Sequence, residues 1–478
     1  MIRRVFGVIE TTLTSEQASY PKCFFKSENA SFGWLPTAAP CFPINAKNIK
    51  ILTEPKEFYD TLLSNCCNAK ERITLASLYL GYGTLEKKLL ESIRSNGNYK
   101  NNSLNINILL DYTRGSRGVA NSRTMLLPLL QENSKNLRVS LYHTPELRGV
   151  LKQYIPDRYN ELLGLQHMKL YIFDNTLIIS GANLSNDYFT NRQDRYVVIK
   201  DKSLSDFYCS LVNKVQDFSL NIDQHDKAGL SKNWEMLPYE SSKAQFVQKA
   251  SRKIKNFILD SMNQQQQYCA QEQNDTWIFP LVQMGQLNVN HDAPITNRIL
   301  ADSPPRSTLR IATGYFNLTK EYMNTLIDSC QANCEILMAH PEANGFLGAK
   351  GLAGGIPYAY SQIARKFRQL YEERKQQHRF KLYEYLREDW TYHAKGLWYY
   401  PPDKNVPSMT LIGSPNFGER SVKRDLETQV AIVTENPELA KSLDNECRRL
   451  YKLGVEAETD RKVPVWVNTF VVFFRSYF

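Results

Sequence analysis

The chain has 478 residues, of which 42% are hydrophobic and 23% charged, and its net charge is +10. This composition excludes an intrinsically disordered chain, which would lack the apolar residues of a core. No apolar run reaches the roughly 18 residues of a transmembrane helix, so we expect none. The positive charge favours partners that carry phosphate, whether nucleic acid, an anionic lipid surface or a phosphorylated small molecule.

The sequence contains an internal repeat. Ile73–Ile93 has the pattern of a buried strand, a glycine-containing turn and a helix, and Leu309–Ile327 has the same pattern. Each copy continues with a second apolar strand, LNINILLDY or ANCEILMAH, and later with a third, RVSLYHT or RFKLYEY. The repeat predicts two α/β halves with mixed sheets, related by a pseudo-twofold axis.

The repeat also divides the chain into predicted domains. They are an N-terminal segment (1–46), a first α/β domain (47–225), a linker region (226–280), a second α/β domain (281–455) and an apolar, aromatic tail (456–478). The tail is too short to span a bilayer. It is predicted either to lie at a membrane interface or to dock on the core as a final element.

Each half carries a histidine and a lysine two residues apart, followed by an asparagine and an acid. The two sets are His167, Lys169, Asn183 and Asp194, and His393, Lys395, Asn416 and Glu427. Eleven residues separate the asparagine from the acid in both sets, and Pro401–Pro407 is an insertion between the histidine and the asparagine of the second. A lone pair is ordinary strand alternation, but two matched sets indicate a shared site.

Two such sets facing each other suit phosphoryl transfer without a metal. Lysines and asparagines would neutralise the non-bridging oxygens, where charge concentrates. One neutral histidine would attack phosphorus while the other donates a proton to the leaving oxygen. The acids Asp194 and Glu427 would each hold the far nitrogen of a histidine. The pattern therefore predicts neither a metal nor a cofactor.

These residues resemble the signature of the phospholipase D superfamily, His-x-Lys-x4-Asp followed by a Gly/Ser-rich turn and asparagine. Asp174 matches the motif aspartate of the first half, whereas Tyr400 stands at that position in the second. The resemblance implies two phospholipase D-like α/β repeats with the active site at their interface. It implies catalytic roles for His167, Lys169, Asp174, His393 and Lys395, with Asn183, Asp194, Asn416 and Glu427 in support.

Within the superfamily, residues from about Ile51 to Gly454 are similar to the eukaryotic phosphatidylglycerophosphate synthases. The resemblance implies that CDP-diacylglycerol and sn-glycerol 3-phosphate give phosphatidylglycerophosphate and CMP through a phosphatidyl-histidine. It favours His167 over His393 as the nucleophile, although the near-equivalent motifs leave the choice open. It also implies peripheral attachment to the matrix side of the mitochondrial inner membrane.

Four further residues are candidate substrate contacts. Arg114 and Arg117 lie in a glycine-containing basic loop, Lys350 lies in the loop Gly348–Gly355, and Ser414 lies in the turn before Asn416. Arginine, lysine and loop amides are common phosphate ligands, so these positions would bind glycerol phosphate or pyrophosphate. An ordinary basic surface loop and a flexible lid are the alternatives for the two loops.

Two other functions fit the motifs. A phosphodiesterase resembling tyrosyl-DNA phosphodiesterase would also lack a motif aspartate, but no aromatic, basic groove for single-stranded nucleic acid stands out, so no nucleic-acid partner is expected. A phosphatidylserine synthase would share the first half-reaction and use serine as acceptor. The expected partners are therefore CDP-diacylglycerol, sn-glycerol 3-phosphate and an anionic membrane surface, while the oligomeric state stays open.

Overall fold

A computed structural model describes residues 27–133, 135–155, 160–265, 274–345, 354–464 and residue 467. These ranges form two large mixed β-sheets with helices packed around them, which confirms the predicted α/β repeat. Lys350 and most of the C-terminal tail lie outside the described residues.

The strands of the first half and the segment before it come first in the chain. They are β1 (Phe42–Ile44), β2 (Ile49–Leu52), β3 (Arg72–Ala76), β4 (Asn105–Asp111), β5 (Leu137–Tyr142), β6 (Leu170–Phe173), β7 (Thr176–Ser180), β8 (Arg192–Gln193), β9 (Tyr196–Lys200), β10 (Leu220–Ile222) and β11 (Ala228–Leu230). The second half contributes β12 (Thr276–Met284), β13 (Val289–Asn290), β14 (Thr308–Thr313), β15 (Asn333–Ala339), β16 (Phe380–Tyr385), β17 (Thr391–Tyr392), β18 (Gly396–Tyr400), β19 (Met409–Gly413), β20 (Leu426–Thr434) and β21 (Gly454–Glu456).

The two sheets have matching strand orders. One runs β5-β4-β3-β6-β7-β9 between its edge strands, and the other runs β16-β15-β14-β18-β19-β20. Strands β3, β4 and β5 are parallel, and β6 is antiparallel to β3, so β6 begins where Leu170 pairs with Ala76 at the carboxyl end of β3. In the second sheet Gly396, at the start of β18, pairs with Ala312 of β14. The residues just before β6 and β18 therefore lie at the carboxyl edges of the parallel strands.

The helices lie on both sides of the sheets. They are α1 (Leu35–Ala38), α2 (Pro55–Asn68), α3 (Thr84–Ser95), α4 (Gly97–Lys100), α5 (Tyr112–Gly115), α6 (Ser122–Glu132), α7 (Gly149–Tyr154), α8 (Asn186–Thr190), α9 (Lys202–Asp217), α10 (Lys243–Gln265), α11 (Asp292–Ala301), α12 (Lys320–Asp328), α13 (Ile356–Glu373), α14 (Glu419–Lys423) and α15 (Pro437–Tyr451). Local signals fix several starts, since Asn121 and Thr124 form a capping box on α6 and Asn436 caps α15 ahead of Pro437.

The core has three parts. One contains buried residues of both halves, with side chains from β6, β7, β9, β12, β18 and β20 and from α9, α10 and α15. The other two belong to one half each, where helices such as α2, α6, α12 and α13 cover the sheets. The shared part is extensive, so the two halves are held together by apolar packing as well as by the polar contacts of the site.

The second sheet extends across two of the predicted domain boundaries. The second sheet begins at Thr276, inside the predicted linker, and β1 of the predicted N-terminal segment pairs with it through Phe42 and Ile278. The linker also contains α10, which buries Phe246 and Ile254 in the shared core. The glutamine-rich composition near residue 265 suggested a connection, but the helical spacing of apolar residues before it drives a packed helix.

No helix in the described part of the chain is both long and apolar enough to cross a membrane.

Candidate active site

Each histidine is attached by its backbone to the opposite half. His167 donates its amide hydrogen to the carbonyl of Leu426 at 2.9 Å, and Leu426 donates back to Leu165 at 2.8 Å. In the same way His393 donates to the carbonyl of Gln193 at 2.8 Å, where β17 and β8 pair in parallel. These short ladders between the halves bring the two His-x-Lys segments to one place.

The acids exchange partners between the halves. His167 Nδ1 donates to Glu427 Oε1 at 2.9 Å, and His393 Nδ1 donates to Asp194 Oδ2 at 2.7 Å. Each carboxylate is fully buried and fixes the orientation of its ring. The sequence predicted that each acid holds a histidine. It did not indicate that each histidine would bind the acid of the opposite half.

A glycine is required behind one of these pairs. A Cβ atom at Gly181 would lie 2.7 Å from Asp194 Oδ1 and 2.8 Å from Lys395 Nζ. Any side chain at this turn would therefore displace the carboxylate or the ammonium, which explains why glycine precedes Asn183.

The two lysines differ in their partners. Lys395 Nζ donates to the carbonyl of His393 at 2.6 Å, and it lies 2.7 Å from His393 Nδ1 and 3.5 Å from Asp194 Oδ2. Lys169 is also fully buried, but its Nζ has no hydrogen-bond partner among the described residues. A buried ammonium without a partner is costly unless an anion reaches it, so Lys169 is a candidate ligand for a phosphate.

The asparagines lie in the turns that follow β7 and β19. Asn183 is buried, and its Oδ1 accepts a hydrogen bond from Ser77 Oγ at 3.4 Å. Thr313, the second-half counterpart of Ser77, donates to the backbone carbonyl of Asn416 at 3.3 Å. Asn416 Oδ1 is buried without a partner among the described residues.

Burial and mutual charge set the protonation of the cluster. Burial lowers the pKa of His167 well below its ordinary 6.5, and the Lys169 ammonium lowers it further. Burial and the Lys395 ammonium do the same to the pKa of His393. Both rings are therefore neutral at pH 7 before an anion binds, as a nucleophile requires. Burial also lowers the pKa of both lysines and raises that of both acids.

The surroundings of the two imidazoles are unequal. The Tyr188 hydroxyl lies 3.4 Å from His393 Nε2, and the rings of Tyr188 and Tyr315 meet the imidazole edge-on. Arg192 stacks on Tyr188 with its guanidinium carbon 4.8 Å from the ring centre. None of these three residues was predicted. The only signal was that Tyr315 follows the first repeat strand of its half.

Arg420 is a further residue that the sequence did not single out. It donates to Asp425 Oδ2 at 2.9 Å and to the carbonyl of Glu161 at 2.7 Å, and its charge contributes to lowering the pKa of His167. Asp425 also accepts from the amide of Leu165 at 2.9 Å. This pair therefore places a cation beside the first histidine and anchors the segment that leads to it.

The motif aspartate of the first half and the tyrosine at its position in the second lie at the far ends of β6 and β18 from the histidines. Asp174 was predicted to be catalytic, but its carboxylate accepts three backbone hydrogen bonds, from Lys70, Glu71 and Arg72, at the far end of β6 from His167. It closes a turn in which its own φ is 52°. Tyr400, at the corresponding place in the second half, donates to Asp444 at 3.0 Å.

The predicted substrate contacts among the described residues differ in whether their polar groups are already bound within the protein. Ser414 is fully buried, and its hydroxyl is bonded to the backbone of Thr428 in both directions, which corrects its assignment as a substrate contact. Arg117 is already paired with Glu161 at 2.5 Å. Arg114 lies at the carboxyl edge with its guanidinium 4.2 Å over the ring of Tyr79 and stays a candidate.

One group of side chains has the spacing of metal ligands. Atoms of His167, Asp425 and Glu427 lie within 4.8 Å of one another. Each already has a protein partner, since Glu427 binds His167 and Asp425 binds Arg420. Two cationic side chains, Lys169 and Arg420, also act on this group electrostatically. A divalent cation would have to displace these contacts, so the group fits a metal poorly.

Comparisons with known proteins agree with a fold of two similar halves. The family model described as "Cardiolipin synthase, PLD-like domain" matches residues 62–215 and 303–451, one match in each half. The chain is similar to a solved phosphatidylserine synthase from Haemophilus influenzae Rd KW20, with a TM-score of 0.69 at 20% identity over 94% of this chain and 97% of that one. At this identity the likeness shows the fold alone.

Proteins related in sequence identify the family of the chain more closely than the structural neighbour does. The chain is 41% identical to the mitochondrial CDP-diacylglycerol–glycerol-3-phosphate 3-phosphatidyltransferase of Bos taurus, over 96% of this chain and 88% of that protein. It is 36% identical to the Saccharomyces cerevisiae enzyme of that name, over 86% of this chain and 83% of that one. The chain therefore belongs to the phospholipase D-like family and, within it, to the CDP-diacylglycerol–glycerol-3-phosphate 3-phosphatidyltransferases.

Proposed function

We propose that the protein transfers the phosphatidyl group of CDP-diacylglycerol to sn-glycerol 3-phosphate, giving phosphatidylglycerophosphate and CMP. Two relatives, 41% and 36% identical to this chain, are named for this activity. The match covers most of the length of each relative. The product is the precursor from which loss of one phosphate gives phosphatidylglycerol. The reaction is a phosphoryl transfer, for which the paired histidines and lysines are suited.

The observation that carries the proposal is the crossed pairing of the two histidines with Glu427 and Asp194, beside an unpartnered buried Lys169. Each ring is fixed at Nδ1, so each presents Nε2 to one shared centre. Lys169 then supplies positive charge for a non-bridging oxygen of the bound pyrophosphate.

The reaction follows in two steps. His167 Nε2 attacks the phosphorus that carries diacylglycerol, and the bond from that phosphorus to the CMP oxygen breaks. CMP leaves with a proton from His393, whose pKa the negative charge of the bound pyrophosphate would raise. His393 then takes the proton of the primary hydroxyl of glycerol 3-phosphate as that oxygen attacks the phosphatidyl-histidine. Release of His167 completes the cycle without a metal or another cofactor.

His167 is proposed as the nucleophile because no described residue hydrogen-bonds to its Nε2 atom, whereas that of His393 lies 3.3 Å from Lys395 Nζ and 3.4 Å from the Tyr188 hydroxyl. A group that must approach phosphorus needs an open nitrogen. A group that stores and returns a proton benefits from a hydroxyl beside it.

The proposed setting is the matrix side of the mitochondrial inner membrane, with peripheral attachment to an anionic lipid surface. Several relatives are named as mitochondrial proteins, and the net charge of +10 favours such a surface.

The test is to measure CMP release and lipid product from CDP-diacylglycerol in detergent micelles, with glycerol 3-phosphate, serine or water as acceptor. We expect phosphatidylglycerophosphate with glycerol 3-phosphate only. The variants His167→Ala and His393→Ala should each lose about 10⁴-fold or more in turnover. The exposed His225→Ala and His378→Ala serve as matched controls and should keep wild-type rates.

Formation of phosphatidylserine instead would keep the mechanism and overturn the acceptor. A lack of CMP release with every acceptor would overturn the proposed function, and a nucleic-acid phosphodiester would then be the next substrate to try. Loss of activity in EDTA with recovery on addition of Mg²⁺ would contradict the metal-free mechanism.

A further inference from the structure

Large apolar side chains are exposed at one edge of the first sheet. They are Tyr82 (61% exposed), Val119 (96%), Val150 (71%), Leu151 (45%) and Tyr154 (77%), here called the apolar rim. They follow β3, β4 and β5 in turn, so all of them lie in the connecting segments at the carboxyl ends of three adjacent parallel strands. Single exposed apolar residues are ordinary, but a group at one edge marks an interaction surface.

The helix α7 contributes three members of the rim and has no buried residue at all. Val150 and Tyr154 are four residues apart, and Leu151 and Tyr154 are three apart, so the three side chains share one face. A surface helix normally turns its apolar face to the core of the protein. Here that face points away from the described part of the chain.

Hydrogen bonds hold the three loops of the rim together. Ser122, beyond Val119, is bonded through its hydroxyl to both the amide and the carbonyl of Leu80, just before Tyr82. Arg117 pairs with Glu161, which follows α7, at 2.5 Å. The rim is therefore one surface built from three connected loops.

The polar groups among these loops are mainly basic. Lys152 of α7 lies 3.2 Å over the ring centre of Tyr239, and Arg114 lies over Tyr79. Neither has a carboxylate partner among the described residues. The helix α7 contains no acid, so the face carries positive charge between its apolar side chains.

The rim adjoins the candidate active site. The strand β6, which follows His167 and Lys169, begins at the same edge, where Leu170 pairs with Ala76 of β3. Asp111, at the end of β4, accepts the amide of Gln166 at 3.0 Å, which ties the loop of Arg114 directly to the residue before His167.

We propose that the apolar rim inserts into the interface of an anionic bilayer. Its valine, leucine and tyrosine side chains would enter the boundary between headgroups and acyl chains, and Lys152 and Arg114 would meet lipid phosphates. The insertion places His167 against the headgroup layer, where the pyrophosphate of CDP-diacylglycerol lies. This inference rests on the proposed function, because a lipid substrate is what makes a bilayer the partner of this edge.

The test is sedimentation of the full chain with vesicles of phosphatidylcholine and phosphatidylglycerol, beside vesicles of phosphatidylcholine alone. We expect binding to the anionic vesicles to fall at least about tenfold in the triple variant Val150→Ser, Leu151→Ser, Tyr154→Ser, since each apolar side chain contributes transfer free energy. The loop variant Val119→Asp should weaken binding independently and leaves α7 unchanged. Leu259→Ser and Val455→Ser replace exposed apolar residues elsewhere and should bind like wild type.

A second measurement separates this proposal from the proposed function. Turnover of a short-chain CDP-diacylglycerol, dissolved below its micelle concentration, should be the same in the rim variants as in wild type. Turnover of the long-chain substrate in vesicles should fall with the bound fraction. Unchanged vesicle binding in both rim variants would overturn the proposal, as would an equal loss in the controls. If the wild type turns over neither lipid but its vesicle binding still depends on the rim, the proposed function fails and the docking surface stands.

Discussion

The two halves hold their histidines in the same way, but their two lysines differ in hydrogen-bond partners. His167 and His393 each donate Nδ1 to a buried acid of the other half, at 2.9 and 2.7 Å. Lys395 is bonded to a carbonyl and lies near Asp194, whereas Lys169 has no hydrogen-bond partner among the described residues. A symmetric fold thus supplies two unequal sites, and this inequality is the basis for proposing different roles for the two histidines.

The acid partners explain the inequality. Asp194 is near both the histidine and the lysine of the second half. Glu427 accepts from His167 and from Ser421 at 2.8 Å, but it is not within ion-pair distance of Lys169. The second lysine is thus already close to an acid, whereas the first has no hydrogen-bond partner among the described residues.

The largest expected difference concerns the lysines. Lys169→Met should lower kcat/KM for CMP release by about 10³-fold, and Lys395→Met by about 10²-fold, because only Lys169 lacks a protein partner that already uses its charge. Steady-state kinetics in mixed micelles measures both, with the exposed Lys87→Met as control. Equal losses in the two variants, or a larger loss in the Lys395 variant, would contradict the proposed difference between the two lysines.

Each crossed acid should affect the first step through its own histidine. Glu427→Gln leaves His167 badly oriented and should slow the first release of CMP by about 10²-fold. Asp194→Asn acts on His393, which protonates the departing CMP and then activates glycerol 3-phosphate, so it should slow both the first release and the transfer by a similar factor. Rapid-quench measurement of the CMP burst and of the transfer that follows measures the two steps. A fast burst in Glu427→Gln would contradict the assignment of His167 as the nucleophile.

The pH dependence of the rate tests the protonation of His167 and Lys169 in the first half. In His393→Ala the rate of CMP release reports His167, whose pKa lies well below 6.5 because of burial and Lys169. The rate should stay level from neutral pH down past 6.5 and then fall about tenfold per pH unit as the ring takes up a proton. The alkaline limb should lie well below pH 10.5, because burial lowers the pKa of the Lys169 ammonium.

Lys169→Arg tests the assignment of the alkaline limb. A guanidinium stays charged in this range, so that limb should move to higher pH while the acid limb changes little. An alkaline limb that does not move would assign it to a different group.

The smallest effect on activity is expected at the motif aspartate. Asp174→Ala removes three hydrogen bonds from backbone amides and should lower the free energy of unfolding by about 2–4 kcal/mol, with kcat of the folded protein within about twofold of wild type. In the second half Tyr400→Phe loses one bond to Asp444 and should cost about 1 kcal/mol. Chemical denaturation alongside kinetics measures both, and a large loss of kcat in Asp174→Ala would return this residue to the active site.

Much of the fold was predictable because strands and helices repeat in the same order in both halves. The match of Ala76 with Ala312 correctly aligns β3 with β14. The boundary at Thr276 was missed because composition, rather than strand pairing, was used to place it. Pairing of β12 with β20 over nine residues is a long-range contact that local sequence does not reveal.

The sequence predicted which residues form most of the site, but it did not predict which of them contact each other. Spacing identified His167, His393, Asp194 and Glu427, yet nothing in it indicated that the acids serve the opposite half. Tyr188 was missed because it lies in α8 of one half while its partner His393 belongs to the other. Contacts between domains depend on how two sheets dock, which periodicity alone leaves undetermined.

The most direct test is to find which histidine carries the phosphatidyl group. His393→Ala is incubated with CDP-diacylglycerol without acceptor, digested at alkaline pH to preserve the phosphorus–nitrogen bond, and mapped by mass spectrometry. The unequal sites predict a phosphatidyl adduct on the peptide that contains His167, and no adduct in His167→Ala. An adduct on His393 in the His167→Ala variant, with none on His167, would contradict the assignment of the two halves.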